Sequence, residues 1–300
     1  MRAVCDDPVM HVPGNIPARF SQFPKSLSDR AVLTRLGPDV PALLAHPDGE
    51  TPVPVVLWLH GRSVFKELDP GRYLRWIRSG IAACAIDLPG HGERTIEGWN
   101  GPEHTLDVLE QVIGEIDDVI DDLSRSEHAH LYDTSRVAIG GMSAGGMAAL
   151  RRLCEPHRFA CAAVEATCGD LETMYFGDSE RVVRTRTDDA DTDRRSSWPI
   201  VHDRERVLKL SAMEHLSGFD PIPFLAIHSE ADRVVPFDAQ AKFIDALRSH
   251  YERSGSDASM IEFVHWTETG APDEHNGFGN RANDAKNAQT SFFVKHLLER

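Results

Sequence analysis

Residues 135–147 read Ser-Arg-Val-Ala-Ile-Gly-Gly-Met-Ser-Ala-Gly-Gly-Met, an apolar run that passes directly into Gly141-Met142-Ser143-Ala144-Gly145. A Gly-x-Ser-x-Gly pentapeptide presents its serine on a strained turn between a strand and a helix. Gly141 and Gly145 allow backbone segments to approach where a Cβ would clash, and Ser143 must adopt sparsely allowed dihedrals. The hydroxyl then stands at the tip of the sheet. The helix read over 146–153 turns its free N–H groups and positive dipole end towards negative charge that develops there. A glycine-rich turn without chemistry is the bland alternative, and it leaves the preceding strand and the small-faced helix after it unexplained.

Working outward, the chain alternates two periodicities. Residues 53–59 (Val-Pro-Val-Val-Leu-Trp-Leu) and 81–88 (Ile-Ala-Ala-Cys-Ala-Ile-Asp-Leu) are near-continuous apolar runs, the pattern of strands buried on both faces of a parallel sheet. They end in His60-Gly61 and Pro89-Gly90-His91-Gly92. Residues 30–36 and 41–45 read as opening strands, and 69–79 as a helix. Over 105–125, Leu106, Leu109, Ile113, Ile116, Ile120 and Leu123 fall at helical spacing with acids opposite. Beyond the serine turn come strands at 159–167, 223–228 and 260–266 and helices at 238–253 and 283–300. Strands alternating with helices imply right-handed crossovers and a doubly wound, mostly parallel α/β sheet with helices on both faces.

Two stretches break the rhythm. Residues 1–28 read as an irregular N-terminal arm before a domain at 29–300, and 169–218 are crowded with charge and lack a sustained core pattern. Because alternation resumes after 218, the second stretch is expected to be an insertion, a lid over the C-terminal edge of the sheet.

Composition narrows the function classes. The chain has 300 residues, 41% hydrophobic and 26% charged, with a net charge of −15. That charge disfavours nucleic acid or an anionic membrane as partner. No apolar run nears the ~20 residues of a membrane span, and residues 1–25 lack the apolar core of a secretory signal. The five cysteines are odd in number and contain no Cys-x-x-Cys, so reduced thiols in a cytoplasmic protein are expected. No dinucleotide or Walker fingerprint occurs. Asp189, Asp191 and Asp193 open like a calcium loop, but Arg194 and Ile200 stand where glycine and glutamate belong. His91 and Glu93 lack further ligands at metal-site spacing. The expectation is no cofactor and no metal.

A serine hydroxyl becomes a nucleophile when a base takes its proton and a third group orients the base. Ligands of open parallel sheets bind at the carboxyl ends of the strands, so the partners should lie on loops at that edge. The stretches Leu59-His60-Gly61-Arg62, 87–94 (Asp-Leu-Pro-Gly-His-Gly-Glu-Arg) and 228–236 (His-Ser-Glu-Ala-Asp-Arg-Val-Val-Pro), with the serine turn, resemble the serine-esterase branch of the α/β-hydrolases. Dienelactone hydrolases, acetyl esterases and prolyl-oligopeptidase-type catalytic domains belong to that branch. The resemblance runs from about residue 30 to the end and implies the order serine, acid, histidine. Asp232 stands where the family places its acid; Glu230 is the nearby competitor, and Asp220 precedes the strand at the wrong edge. His275, in the turn-rich loop after the last strand, is the expected base. His265 lies within that strand and His228 one loop too early. The oxyanion donors implied are the N–H groups of Ala144 and Arg62, with Ser63 second to Arg62, while His60 braces its loop.

The expected activity is hydrolysis of a small or medium carboxylic ester through an acyl-enzyme. Thioesterase, lactonase, acyltransferase and peptidase remain open, peptidase less favoured because no propeller or long N-terminal extension is seen. A non-catalytic ligand-binding homologue is the rival from another class. Serine at the elbow counts against the dehalogenases and epoxide hydrolases of this fold, which need aspartate there. Val64, Phe65, Trp99, Met142, Met174, Tyr175, Phe176 and Trp198 are candidates for the pocket. The partner expected is a small-molecule ester, with a homodimer left open.

Overall fold

The computed structural model describes residues 23–177 and 202–299. A one-turn helix α1 (Lys25–Ser28) leads into strands β1 (Ala31–Leu36), β2 (Val40–Ala45) and β3 (Val53–Leu59). There follow α2 (Pro70–Arg78), β4 (Ala82–Ile86), α3 (Thr105–Leu123), β5 (Tyr132–Met142), α4 (Ala144–Arg152) and β6 (Cys161–Glu165). The chain continues through α5 (Leu171–Phe176), α6 (Arg204–Leu210), β7 (Phe224–Ser229), α7 (Phe237–Arg253), β8 (Ile261–Trp266) and α8 (Ala282–Leu297). Among the described residues, eight strands form one sheet in the order β1-β2-β4-β3-β5-β6-β7-β8. β2 pairs antiparallel with β1 and β4, and every pairing from β4 to β8 is parallel.

The sheet is buried from both sides, as its apolar strands require. Along β3, Val55, Leu57 and Leu59 face a cluster that includes α3, α4 and α7, while Val56 and Trp58 face α1, α2 and α8. The chain steps from β3 to β4 on one side and then crosses to β5 on the other. That reversal opens a crevice beyond the carboxyl ends of β3 and β5. The serine turn and the His60-Gly61 loop both leave the sheet there.

The long helix follows its apolar spacing with one adjustment. Ile113 and Ile120 sit half-buried at the margin of the α3 stripe, whose centre also takes in Val108, Val112 and Val119. Within the charged stretch, α5 and α6 place Leu171, Met174, Val207 and Leu210 in the same cluster as α3 and α4. Helices of 6 and 7 residues offer too few turns for periodicity to emerge between flanking charges. At the other end, Leu27 of α1 is buried against α2. Cys84, Cys154, Cys161 and Cys168 are buried thiols outside any disulfide; burial pushes the Cys84 and Cys154 thiols up to about 12. No helix of the described residues is long and apolar enough to cross a membrane.

Candidate active site

Ser143 joins β5 to α4 with φ 51° and ψ −121°, a left-handed backbone that a side chain rarely adopts. The neighbouring glycines make it attainable. A Cβ on Gly145 would stand 2.2 Å from the Leu59 carbonyl oxygen, and one on Gly141 2.5 Å from the Gly145 carbonyl carbon. The turn is pinned on its far side. Ser143 N–H donates to Glu165 O at 3.0 Å, and Thr167 Oγ1 donates to Ser143 O at 2.7 Å. Ala144 begins α4 directly after the serine, so its N–H belongs to the first turn, which has no intrahelical acceptor.

His275 arrives from the loop after β8. Its Nε2 lies 3.0 Å from Ser143 Oγ, and its Nδ1 lies 2.8 Å from Asp232 Oδ2. Asp232 Oδ1 is filled by the N–H groups of Val234 and Val235, each at 2.8 Å. A carboxylate on Nδ1 takes that nitrogen's proton as a hydrogen bond, leaving Nε2 as the acceptor for the serine O–H. The chain Asp232–His275–Ser143 can therefore draw a proton from the hydroxyl. All three residues are buried.

The rivals read from sequence fall elsewhere. Glu230 and His265 pair with each other at 2.7 Å, both well exposed. His228 packs beneath the acid: its Nε2–H donates to Val235 O at 3.0 Å and lies 3.5 Å from Asp232 Oδ2. Burial holds His228 below the usual imidazole value, against the pull of Asp232. Asp220 is exposed ahead of β7.

The loop after β3 closes over the serine. A Cβ on Gly61 would stand 3.4 Å from Ser143 Cβ, and Arg62 and Ser63 follow, Ser63 at φ 66°. His60 braces this loop as a neutral ring, Nδ1–H donating to Gly61 O at 2.6 Å and Nε2 accepting Leu88 N–H at 3.0 Å. Desolvation lowers His60 to about 4, which keeps it uncharged. Further along, Asp87 accepts from Lys66 N–H at 2.9 Å and Lys66 Nζ at 2.8 Å, tying the loop to the end of β4.

Of the pocket candidates, Val64, Phe65, Trp99 and Met142 are half-buried at this edge. Trp99 stacks on His104 with ring centroids 5.4 Å apart, and the Met142 sulfur reaches towards Gly61. Met174 is buried in the core cluster. Tyr175 meets His202 edge-on at 4.5 Å. Phe176 is exposed beneath the Arg204 guanidinium, 5.9 Å away. Trp198 lies outside the described residues, as does the middle of the expected lid, residues 178–201.

Two supports escaped the sequence reading. Glu165, at the end of β6, forms a buried ion pair with Arg72, which also donates to Gln289 and lies 4.3 Å over the Trp58 ring. An acid closing an apolar strand signals a hidden cation; nothing local points to a partner 93 residues away. Glu274, beside the histidine, accepts from Thr269 and Gly270 N–H and from Ser229 Oγ at 2.6, 2.7 and 2.8 Å. Burial raises its carboxyl, and these donors outweigh burial to leave it below the usual value. No group of metal-ligating side chains that could hold an ion occurs among the described residues.

Fold and sheet topology define an α/β-hydrolase of the serine hydrolase class. Its residues 109–299 match the prolyl oligopeptidase family, and the chain belongs to that family. Comparison with curated proteins returns no match. Among solved structures, TT1662 from Thermus thermophilus is 20% identical with a TM-score of 0.63, covering 90% of this chain and 100% of that one. The acylaminoacyl peptidase of Pyrococcus horikoshii is 18% identical with a TM-score of 0.65, over 94% of this chain but 44% of the peptidase. Esterase 2 of Thermogutta terrifontis, captured phosphonylated by sarin, is 17% identical with a TM-score of 0.60, over 87% of this chain and 92% of the esterase. At these identities the likeness is one of fold.

Proposed function

We propose that the protein hydrolyses carboxylic esters, with Ser143 as nucleophile, His275 as base and Asp232 as the group that orients the base. The observation that carries this reading is the continuous contact from Asp232 Oδ2 through His275 to Ser143 Oγ, at 2.8 and 3.0 Å. Ser143 Oγ adds to the acyl carbonyl as its proton passes to His275 Nε2, and the carbonyl oxygen becomes an oxyanion. The N–H groups of Ala144 and Arg62 receive that charge. Collapse of the tetrahedral species expels the alcohol, which takes the proton from Nε2 and leaves an acyl-serine. Water then gives its proton to Nε2, adds to the acyl carbon, and releases the carboxylic acid with the serine hydroxyl restored. The described site residues supply every proton transfer, so no cofactor enters the scheme.

A second reading, amide hydrolysis, is favoured by the family match. The two are separated by offering one acyl group as its p-nitrophenyl ester and as its p-nitroanilide. An ester hydrolase gives a burst of p-nitrophenol that a phosphonate abolishes, and little turnover of the anilide. Comparable kcat/KM on both would favour the peptidase reading; no burst and no phosphonate adduct would exclude nucleophilic catalysis at serine.

A further inference from the structure

Arg62 has a side chain as well as a backbone N–H, and that side chain is sparsely bonded for a half-buried arginine among the described residues. Several buried or half-buried arginines elsewhere meet carboxylates: Arg72 meets Glu165, Arg94 meets Glu115, Arg152 meets Asp117 and Arg136 meets Asp133. Half-buried Arg75 meets none among the described residues, but three oxygens, of Gly71, Asn283 and Asn287, take up its donors. Among the described residues no carboxylate forms an ion pair with Arg62. Its one hydrogen bond there is from Nη1 to the Asn100 carbonyl at 3.1 Å. A guanidinium has five N–H donors in a planar fork shaped for a carboxylate.

Its surroundings decide what the guanidinium can bind. Arg62 follows the glycine that touches Ser143, and its side chain sits where loops from β3, β4 and β6 converge on the serine edge. Burial lowers its affinity for its proton, and Tyr175 and exposed Glu103 offset that only in part. By contrast, ion-pair partners lift Arg72 and Arg206 above the usual value against the opposing effect of burial. His91, from the loop after β4, is near enough that the Arg62 charge opposes its protonation. Its Nδ1–H donates to Pro89 O at 2.7 Å, and its buried Nε2 has no partner among the described residues. A half-desolvated cation is stabilised by an incoming anion more than by water, and the His91 ring, neutral with its one N–H spent on Pro89 O, supplies neither a competing negative charge nor a donor.

We propose that the Arg62 side chain forms an anion subsite beside Ser143, so that the preferred substrate is an ester bearing a free carboxylate. This rests on the ester-hydrolase reading above for its reaction and on Arg62 for its charge. The carboxylate accepts two N–H groups of the guanidinium side by side, and the ester carbonyl is thereby held against the serine. Whether the carboxylate lies on the acyl or the alcohol side is decided by the arms of the test.

The experiment compares charged and neutral esters of equal length on the wild type. Mono-p-nitrophenyl adipate against p-nitrophenyl hexanoate probes the acyl side, and 3-carboxyphenyl hexanoate against phenyl hexanoate probes the alcohol side. In one arm kcat/KM should favour the anion by about tenfold or more, the scale of a charge-assisted pair. In Arg62→Met that ratio should collapse to about one, each variant's neutral ester serving as its own reference. Arg62→Lys should restore part of it. Calorimetric titration of Ser143→Ala with adipate reads the subsite without turnover: binding is expected, and its loss in Ser143→Ala/Arg62→Met. No preference in either arm together with no adipate binding would overturn the subsite and leave the ester-hydrolase reading standing. Ester turnover that survives Ser143→Ala would overturn that reading instead, and adipate binding would still decide the subsite.

Discussion

Asp232 and Glu230 differ by one turn of chain, yet one carboxylate faces the histidine at the serine and the other pairs with His265 at the surface. In Asp232→Asn, Oδ1 still accepts Val234 and Val235 N–H, so the amide NH2 must face His275 Nδ1. That drives the ring proton to Nε2, where it opposes the serine O–H instead of accepting it. Turnover of a p-nitrophenyl ester should fall by about 10⁴-fold. Glu230→Gln should stay within about threefold of wild type, because an exposed ion pair contributes little. Steady-state rates of both variants check this, and a reversed order would move the acid two residues earlier. These side chains were legible because turn-forming neighbours mark strand ends. The pairing of Glu230 with His265 was not, since it depends on the register of β7 against β8.

The elements that carry the site were read well where they are long and poorly where they are short. β3, β4 and α3 announce themselves by unbroken apolar runs or repeated three- and four-residue spacing. α5 and α6 contribute one or two buried residues per turn among charges, and their place becomes visible only against α3 and α4. Likewise the fastening of β6 to α2 is written in two residues far apart in sequence. Arg72→Met should leave the Glu165 carboxylate buried without its cation, on the very residue whose carbonyl holds the serine turn. Breaking a buried pair this way costs about 3–5 kcal/mol, readable as a lowered urea midpoint. Glu165→Gln/Arg72→Met should recover much of that loss, since no net charge is left unpaired; a double variant no more stable than the single one would contradict the pairing.

Over the whole molecule, several histidines are buried as neutral rings: desolvation lowers His46, His60, His91 and His228. Their affinity for a proton is weaker folded than unfolded, where an imidazole titrates near ~6.5. Below that pH the unfolded chain takes up protons that the folded chain refuses, so stability falls as pH drops. For His60, lowered to about 4, the loss develops between ~6.5 and about 4 and amounts to roughly 3 kcal/mol at its acid end. Melting temperature should therefore decline from pH 7 to pH 4, and less steeply in His60→Gln. A wild-type curve flat across that range would mean that these rings are charged in the fold.

The account turns on Ser143. Replacing it with alanine removes one oxygen and leaves the backbone turn in place, with the Glu165 and Thr167 contacts to its main chain retained. Initial-rate hydrolysis of p-nitrophenyl butyrate by equal amounts of folded wild type and Ser143→Ala is the most direct measurement. The account predicts a loss of about 10⁶-fold at unchanged melting temperature. A variant that folds normally and keeps more than a few per cent of the wild-type rate would contradict it.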